Sequence, residues 1–239
     1  SGTEAAREAS AIVLTDVDFA TIVAAVREGR RVADNVRKFV AFLLSANLGE
    51  VVLFALAVLG GLGAPMTVAQ VLTVNVLTDG LPALALARDP ASPETMGLGP
   101  RRGTLLPPAL RATLVGAGVL VGLAGLAAFL AGRAFGGGVD QTMAYATIAL
   151  AELAFVFACR SVHRPAWRAP RNPHLVTGVI ASLAVLGLTI YAPPLREAFG
   201  TAALAAPELA VVIGLAVLPF VVVELGKAVA RSRRAAATP

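Results

Sequence analysis

Six oxygen-bearing side chains interrupt otherwise apolar runs in this 239-residue chain: Asn47 and Glu50 in one run, Asn75, Thr78 and Asp79 in the next, and Glu152 in a later one. An ionisable group at bilayer depth costs at least about 2.5–3.5 kcal/mol on insertion scales, so each acid is a candidate for function wherever its run spans a membrane. Asn47 and Glu50 are i, i+3, and Asn75, Thr78 and Asp79 are i, i+3, i+4, so each set occupies one helical face. Pro82 adds a further donor, because it has no N–H for the carbonyl of Thr78 and its ring pushes that carbonyl aside. Gly80 loosens the same turn, and non-helical backbone at membrane depth is tolerated where it lines a polar cavity. Carboxylates, amide oxygens, a hydroxyl and a freed carbonyl make an all-oxygen set with no imidazole or thiolate, the set that hard cations take. Among these cations Ca²⁺ accepts about six to eight oxygens in flexible geometry, whereas Mg²⁺ gives up its waters reluctantly. A single Asn or Thr most often just bonds a neighbouring helix; acids in register with several polar groups point to a cation.

These residues need a membrane around them, and the composition supplies one. With 57% apolar and 15% charged side chains and a mean hydropathy of +0.77, the chain lies far from soluble composition. Apolar runs long enough to cross about 30 Å of hydrocarbon lie near 40–59, 68–86, 110–130, 143–157, 175–192 and 209–225, which predicts an all-α membrane protein with six spans. Lys and Arg in short loops prefer the cytoplasmic side. Of the twenty basic residues, all but Arg133 and Arg196 fall before the first span, in the second and fourth connections, or in the tail. Both termini are therefore expected in the cytoplasm, with the loops near 61–64, 136–138 and 193–206 facing outward. The net charge of +5 is explained by this flanking of spans and by anionic lipid head groups, with no nucleic acid. The single Cys159 excludes an internal disulfide and reads as a packing residue, and His163 and His174 read as loop residues. The glycines of "GAGVLVGLAG", 116–125, read as close helix contacts.

Residues 1–38 do not belong in a membrane. They hold a β-like run at 11–14, then Thr15 and Asp16 as turn or cap residues, then a helical recurrence of Ile22, Val23, Val26, Val32, Val36 and Phe39. One strand cannot form a sheet, so the segment is expected to be the last strand and helix of a larger soluble domain. No Pro interrupts the chain from Arg31 to Ala64, so one helix over 32–59, about 42 Å long, is expected to run from the cytoplasm into the first span. The organisation read from this is 1–38 as domain end and stalk, 39–87 as two spans with the cation site, 88–109 as a cytoplasmic loop, 110–226 as four supporting spans and 227–239 as a basic tail.

The stretches "GTEAAREASAIVLTDVDFATIVAAVREGR", "DNVRKFVAFLLSANLGEVV", "VNVLTDGLPALAL" and "DPASPETMGLGPRR" resemble, in this order and spacing, the C-terminal third of the calcium-pump class of P-type ATPases. The resemblance is close over about residues 2–102 and continues as a pattern of spans. It implies that the six spans are family helices five to ten, preceded by a strand-helix remnant of the phosphorylation domain, and that calcium-ligand positions fall on Asn47, Glu50, Asn75, Thr78 and Asp79. In the sarcoplasmic reticulum type a further acid lies on the eighth helix, at the position of Ala154 here; Glu152 stands two residues earlier, where secretory-pathway and bacterial relatives carry Gln. Two residues turn a helix face by about 200°, so helix rotation decides whether Glu152 joins the other ligands.

The family's D-K-T-G, T-G-E-S and G-D-G motifs occur nowhere in these residues, nor does its fourth helix, which supplies ligands from the other side of the ion. The resemblance therefore implies the membrane sector of a plasma-membrane Ca²⁺ pump whose ATP and Mg²⁺ are bound by an upstream portion, the chain itself being a fragment that does not hydrolyse ATP. It also implies proton counter-transport, since emptied carboxylates in low dielectric favour their protonated form. A secondary transporter or channel, and a non-catalytic membrane scaffold, are the alternative readings of the same spans. The first usually shows inverted repeats, of which the two halves show none.

Overall fold

The structure is a computed structural model that describes residues 3–10, 13, 18–91, 96, 106–161 and 166–236. Every regular element among the described residues is helical. A short helix α1 (Glu4–Glu8) is capped by the Thr3 hydroxyl, which accepts from the Ala6 N–H. The strand expected over 11–14 lies outside the described residues except for Val13, which has no regular structure, and the expected turn residues Thr15 and Asp16 lie outside them too.

Helix α2 (Phe19–Leu59) carries the chain from stalk to membrane without a break. Its 41 residues span about 60 Å, longer than the helix expected from Val32, because the Asp18 carboxylate caps it by accepting from the Ala20 N–H at 2.9 Å. The second span is built differently. Helix α3 (Val68–Thr73) opens with a capping box between Thr67 and Gln70, passes into a π-helical turn at Val74–Thr78, and resumes as α4 (Gly80–Ala87). The Asp79 N–H reaches back five residues to the Val74 carbonyl at 2.8 Å, and the helix restarts where the Ala83 N–H donates to the Asp79 carbonyl at 2.9 Å. Pro82, inside the first turn of α4, needs no N–H there, so the break falls where the sequence places it.

Helices α5 (Pro108–Phe135), α6 (Asp140–Cys159), α7 (Pro173–Tyr191) and α9 (Ala206–Ala236) complete six helices long and apolar enough to cross a membrane, with short α8 (Pro193–Phe199) between the last two. The chain is a membrane protein. Leu59, Val68, Leu84 and Val51 expose most of their apolar surface, as lipid-facing side chains do. Helix α6 runs through the middle, with Met143, Tyr145, Ile148, Phe155 and Val156 buried in two adjoining apolar clusters. Helix α5 packs on α2 through glycines, as the small-residue run predicts. A Cβ on Gly118 would stand 2.7 Å from the Ser45 carbonyl oxygen, and one on Gly122 2.6 Å from that of Gly49. Without a hydrophobic drive between helices in lipid, such close backbone approach is what dispersion can use. This crossing fixes the rotation of α2 and so the direction of Glu50.

Candidate cation site

Glu50 projects from α2 into the bundle and is buried. Both of its carboxylate oxygens accept from the Asn75 side-chain amide, at 2.8 and 2.7 Å, so the first and second spans meet through these two candidates. One π-turn residue pair further on, Asp79 turns toward α6 instead. Its carboxyl neighbours the Glu152 carboxyl, with Glu50 as the next acid. Asp79 is 1% exposed and Glu152 0%.

As two carboxylates these groups can only accept. Asp79 Oδ1 and both Glu152 oxygens have no hydrogen-bond donor, and they are buried. Like charges in such a place repel, and a cation or a shared proton between them offsets that repulsion. The register of α6 thus brings Glu152 to Asp79, which spacing left open. Among the described residues no three acidic, imidazole or thiol groups converge as a ready-made metal cage. The arrangement is two adjoining pairs, Glu50 with Asn75 and Asp79 with Glu152, on opposite sides of the π turn.

Two candidate residues are held otherwise than their spacing suggests. The Thr78 carbonyl is indeed released by its own helix, but it is not left open: the Ser182 hydroxyl of α7 lies 3.2 Å from it and 3.2 Å from the Leu77 carbonyl. The Thr78 hydroxyl, fully buried, donates to the Val74 carbonyl at 2.7 Å. Thr78 therefore spends both oxygens on structure, because the π turn leaves carbonyls that must be paired in a site without water. Asn47 is the second case. It is exposed and its amide donates to the Leu43 carbonyl at 2.8 Å, so it does not share the buried side of α2 with Glu50.

Residues 63–229 match the family described as Cation transporting ATPase, C-terminus. The chain belongs to that family. It is 38% identical over 229 residues to a calcium-transporting ATPase of Bacillus subtilis (strain 168), covering 92% of this chain and 25% of the relative. To calcium-transporting ATPase 1 of Bacillus cereus (strain ATCC 10987 / NRS 248) it is 34% identical over 249 residues, covering 95% of this chain and 28% of the relative. A P-type sodium-transporting ATPase4 of Toxoplasma gondii (strain ATCC 50861 / VEG) is 46% identical over 101 residues, 42% of this chain and 8% of that protein. The chain spans about a quarter of the length of the curated calcium-transporting relatives it matches.

Within this cation-transporting ATPase chain, sequence reasoning missed Ser182. The one available signal was a hydroxyl among several in the fifth apolar run, which by itself fits any helix contact. It also missed Tyr145 and Thr189, whose hydroxyls pair at 3.0 Å and so bind α6 to α7.

Proposed function

We propose that the chain is the ion-translocating membrane sector of an ATP-driven pump that exports Ca²⁺. The observation that carries this reading is the buried Asp79 and Glu152 carboxyl pair beside the π-helical break, with Glu50 and Asn75 adjoining. An all-oxygen set with a pair of acids and a third adjoining suits a hard divalent cation, and bilayer depth is where a transported ion must rest. Glu50, Asp79, Asn75 and Glu152 supply oxygens directly. Asn47 and the Thr78 backbone join from their present positions only if a further helix or a local turn brings them in, the place where the family's fourth helix would enter.

The upstream portion of the full-length protein binds ATP and Mg²⁺ and phosphorylates its own Asp. Tilting of that portion moves α2, which is continuous from stalk to Glu50, while the π turn lets the second span yield. Glu50 and Asn75 separate, the cation loses ligands and leaves outward, and protons return on the emptied carboxyls. ATP-driven uptake by inside-out vesicles holding the full-length protein tests this. Accumulation of Ca²⁺ with protons moving the opposite way is the expected result. Accumulation of Na⁺ with no effect of Ca²⁺ would move the chain to a sodium pump, the activity named for the Toxoplasma relative. Uptake driven by an ion gradient without ATP would make it a secondary transporter, and no uptake at all a scaffold.

The basic residues favour both termini in the cytoplasm, and the membrane proposed is the plasma membrane. Ala134 lies exposed at the end of α5 that this orientation places outside. In a Cys159→Ala background, Ala134→Cys should react with an impermeant thiol reagent from outside the cell; reaction only after the membrane is opened would invert the topology.

A further inference from the structure

Asp89 stands two residues beyond the end of α4, ten after Asp79, and is 1% exposed. Every acceptor it has is used. Its Oδ2 accepts from Lys38 Nζ at 2.8 Å; its Oδ1 accepts from Arg160 Nε at 3.0 Å and from Asn172 Nδ2 at 2.9 Å, and the Arg160 terminal nitrogen stands 2.9 Å away. Its backbone carbonyl accepts from Asn35 Nδ2 at 2.8 Å and from Arg31 at 3.4 Å. Asn35 also donates to the Ala87 carbonyl, and Asn172 to that of Ala85, each at 3.1 Å, so the last turn of α4 is held from both sides.

The partners divide into two groups. Arg31, Asn35 and Lys38 lie on the stalk half of α2, and Asn35 and Lys38 are i, i+3 on one face of it. Arg160 closes the end of α6, and Asn172 caps α7 by accepting from the Leu175 N–H. The eight residues of α4 are cut off from α3 by the π turn, so their position depends on what grips their ends. At the cytoplasmic end that grip is Asp89, placed between a movable stalk and the α6–α7 side of the bundle. One carboxylate offsets an ammonium and a guanidinium whose side chains are 11% and 7% exposed, with Asp34 3.8 Å from Lys38 as the other nearby acid. Drawing any of the three charges away alone would strand a buried charge, so they shift as a body.

We infer that Asp89 is a positioning residue that transmits movement of the stalk half of α2 to the second span, and hence to Asp79. The inference rests on the pump reading above. When the stalk moves, Lys38 and Asn35 carry Asp89 with them and Arg160 follows, so the three buried charges stay together. The displacement is delivered to the end of α4 and taken up at the π turn, where Asp79 faces Glu152.

The test uses the full-length protein in vesicles and two measurements: the cation concentration for half-maximal phosphorylation, and the number of cations transported per ATP hydrolysed. Asp89→Asn and Lys38→Met are made separately, because Lys38→Met leaves Asp89 paired with Arg160 and Asn172 and so preserves folding if Asp89→Asn does not. Neither residue touches the cation, so half-maximal phosphorylation is expected to shift by less than about twofold, while cations moved per ATP fall about fivefold in both variants. Asp89→Glu should restore part of the ratio. A role in folding alone would lower yield and leave the ratio at the wild-type value. Wild-type ratios in both variants, or a misfolded Asp89→Asn beside a fully coupled Lys38→Met, would overturn the inference. A wild-type protein without cation-dependent phosphorylation would refute the pump reading itself, and the positioning role with it.

Discussion

Asp79→Asn in the full-length pump is expected to lower cation affinity by about 100-fold or more, equivalent to about 3 kcal/mol. The substitution keeps size and shape but removes one unit of charge from a group that is 1% exposed, where a divalent ion gains most from a full carboxylate. It also leaves Glu152 facing an amide, which donates a hydrogen bond and occupies the lone pairs a cation would take. Glu152→Gln removes charge from the same pair and is expected to cost less, about tenfold, because Asp79, the carboxylate on the broken second span beside Asn75, keeps its charge. Spacing alone would have ranked Glu152→Gln last; its burial against Asp79 raises it.

Thr78→Ala and Ser182→Ala are expected to shift affinity by no more than about fivefold, because each removes one neutral hydrogen bond worth about 1 kcal/mol. Their oxygens serve the π turn. Cation-dependent phosphorylation of each variant supplies the measurement. If Asp79→Asn kept wild-type cation dependence while Glu152→Gln abolished it, the ion would lie nearer α6 and the second-span placement would fail.

Gly122→Val is expected to give a large loss of stability. A Cβ there would stand 2.6 Å from the Gly49 carbonyl oxygen and 2.7 Å from Val52 Cβ, so α5 and α2 must part before any Val rotamer fits. Overpacking of this kind typically costs about 1–3 kcal/mol, and backbone atoms cannot step aside as a flexible side chain would. The consequence reaches the site, since Gly49 precedes Glu50 and a displaced α2 loosens the Glu50 to Asn75 contact. Gly116→Val on the same helix is the control, because nothing lies within 4 Å of a Cβ at Gly116. Thermal unfolding of the detergent-solubilised full-length variants should show a clear drop in midpoint for Gly122→Val and little change for Gly116→Val. Equal midpoints would mean that the crossing does not bear on stability.

Much of this protein was legible before any coordinates. Six spans followed from apolar length; the orientation expected from Lys and Arg and the oxygen-only cation site expected from the residues that interrupt the spans stand as proposals. The break beside Asp79 followed from Pro82, whose missing N–H and bulky ring act on the carbonyl four residues back whatever surrounds them. All of these are local consequences of composition, charge and covalent geometry.

What needed the tertiary structure was the direction in which each polar group points. The π turn inserts an extra residue into the helical register, so Asn75 meets α2 while Asp79 meets α6, although their spacing reads as one face. Whether Glu152 faced Asp79 depended on the rotation of α6 about its own axis, which is set by packing on every side. Asn47 and Glu50 parted company because the glycine crossing with α5 turned α2 to bury one and expose the other. The freed Thr78 carbonyl found its donor in Ser182, 104 residues later, and Asp89 found its cations on α2 and α6. A helix period relates residues within one helix; it carries no information about the rotation of one helix against another, and that rotation is decided only when backbones and side chains interlock.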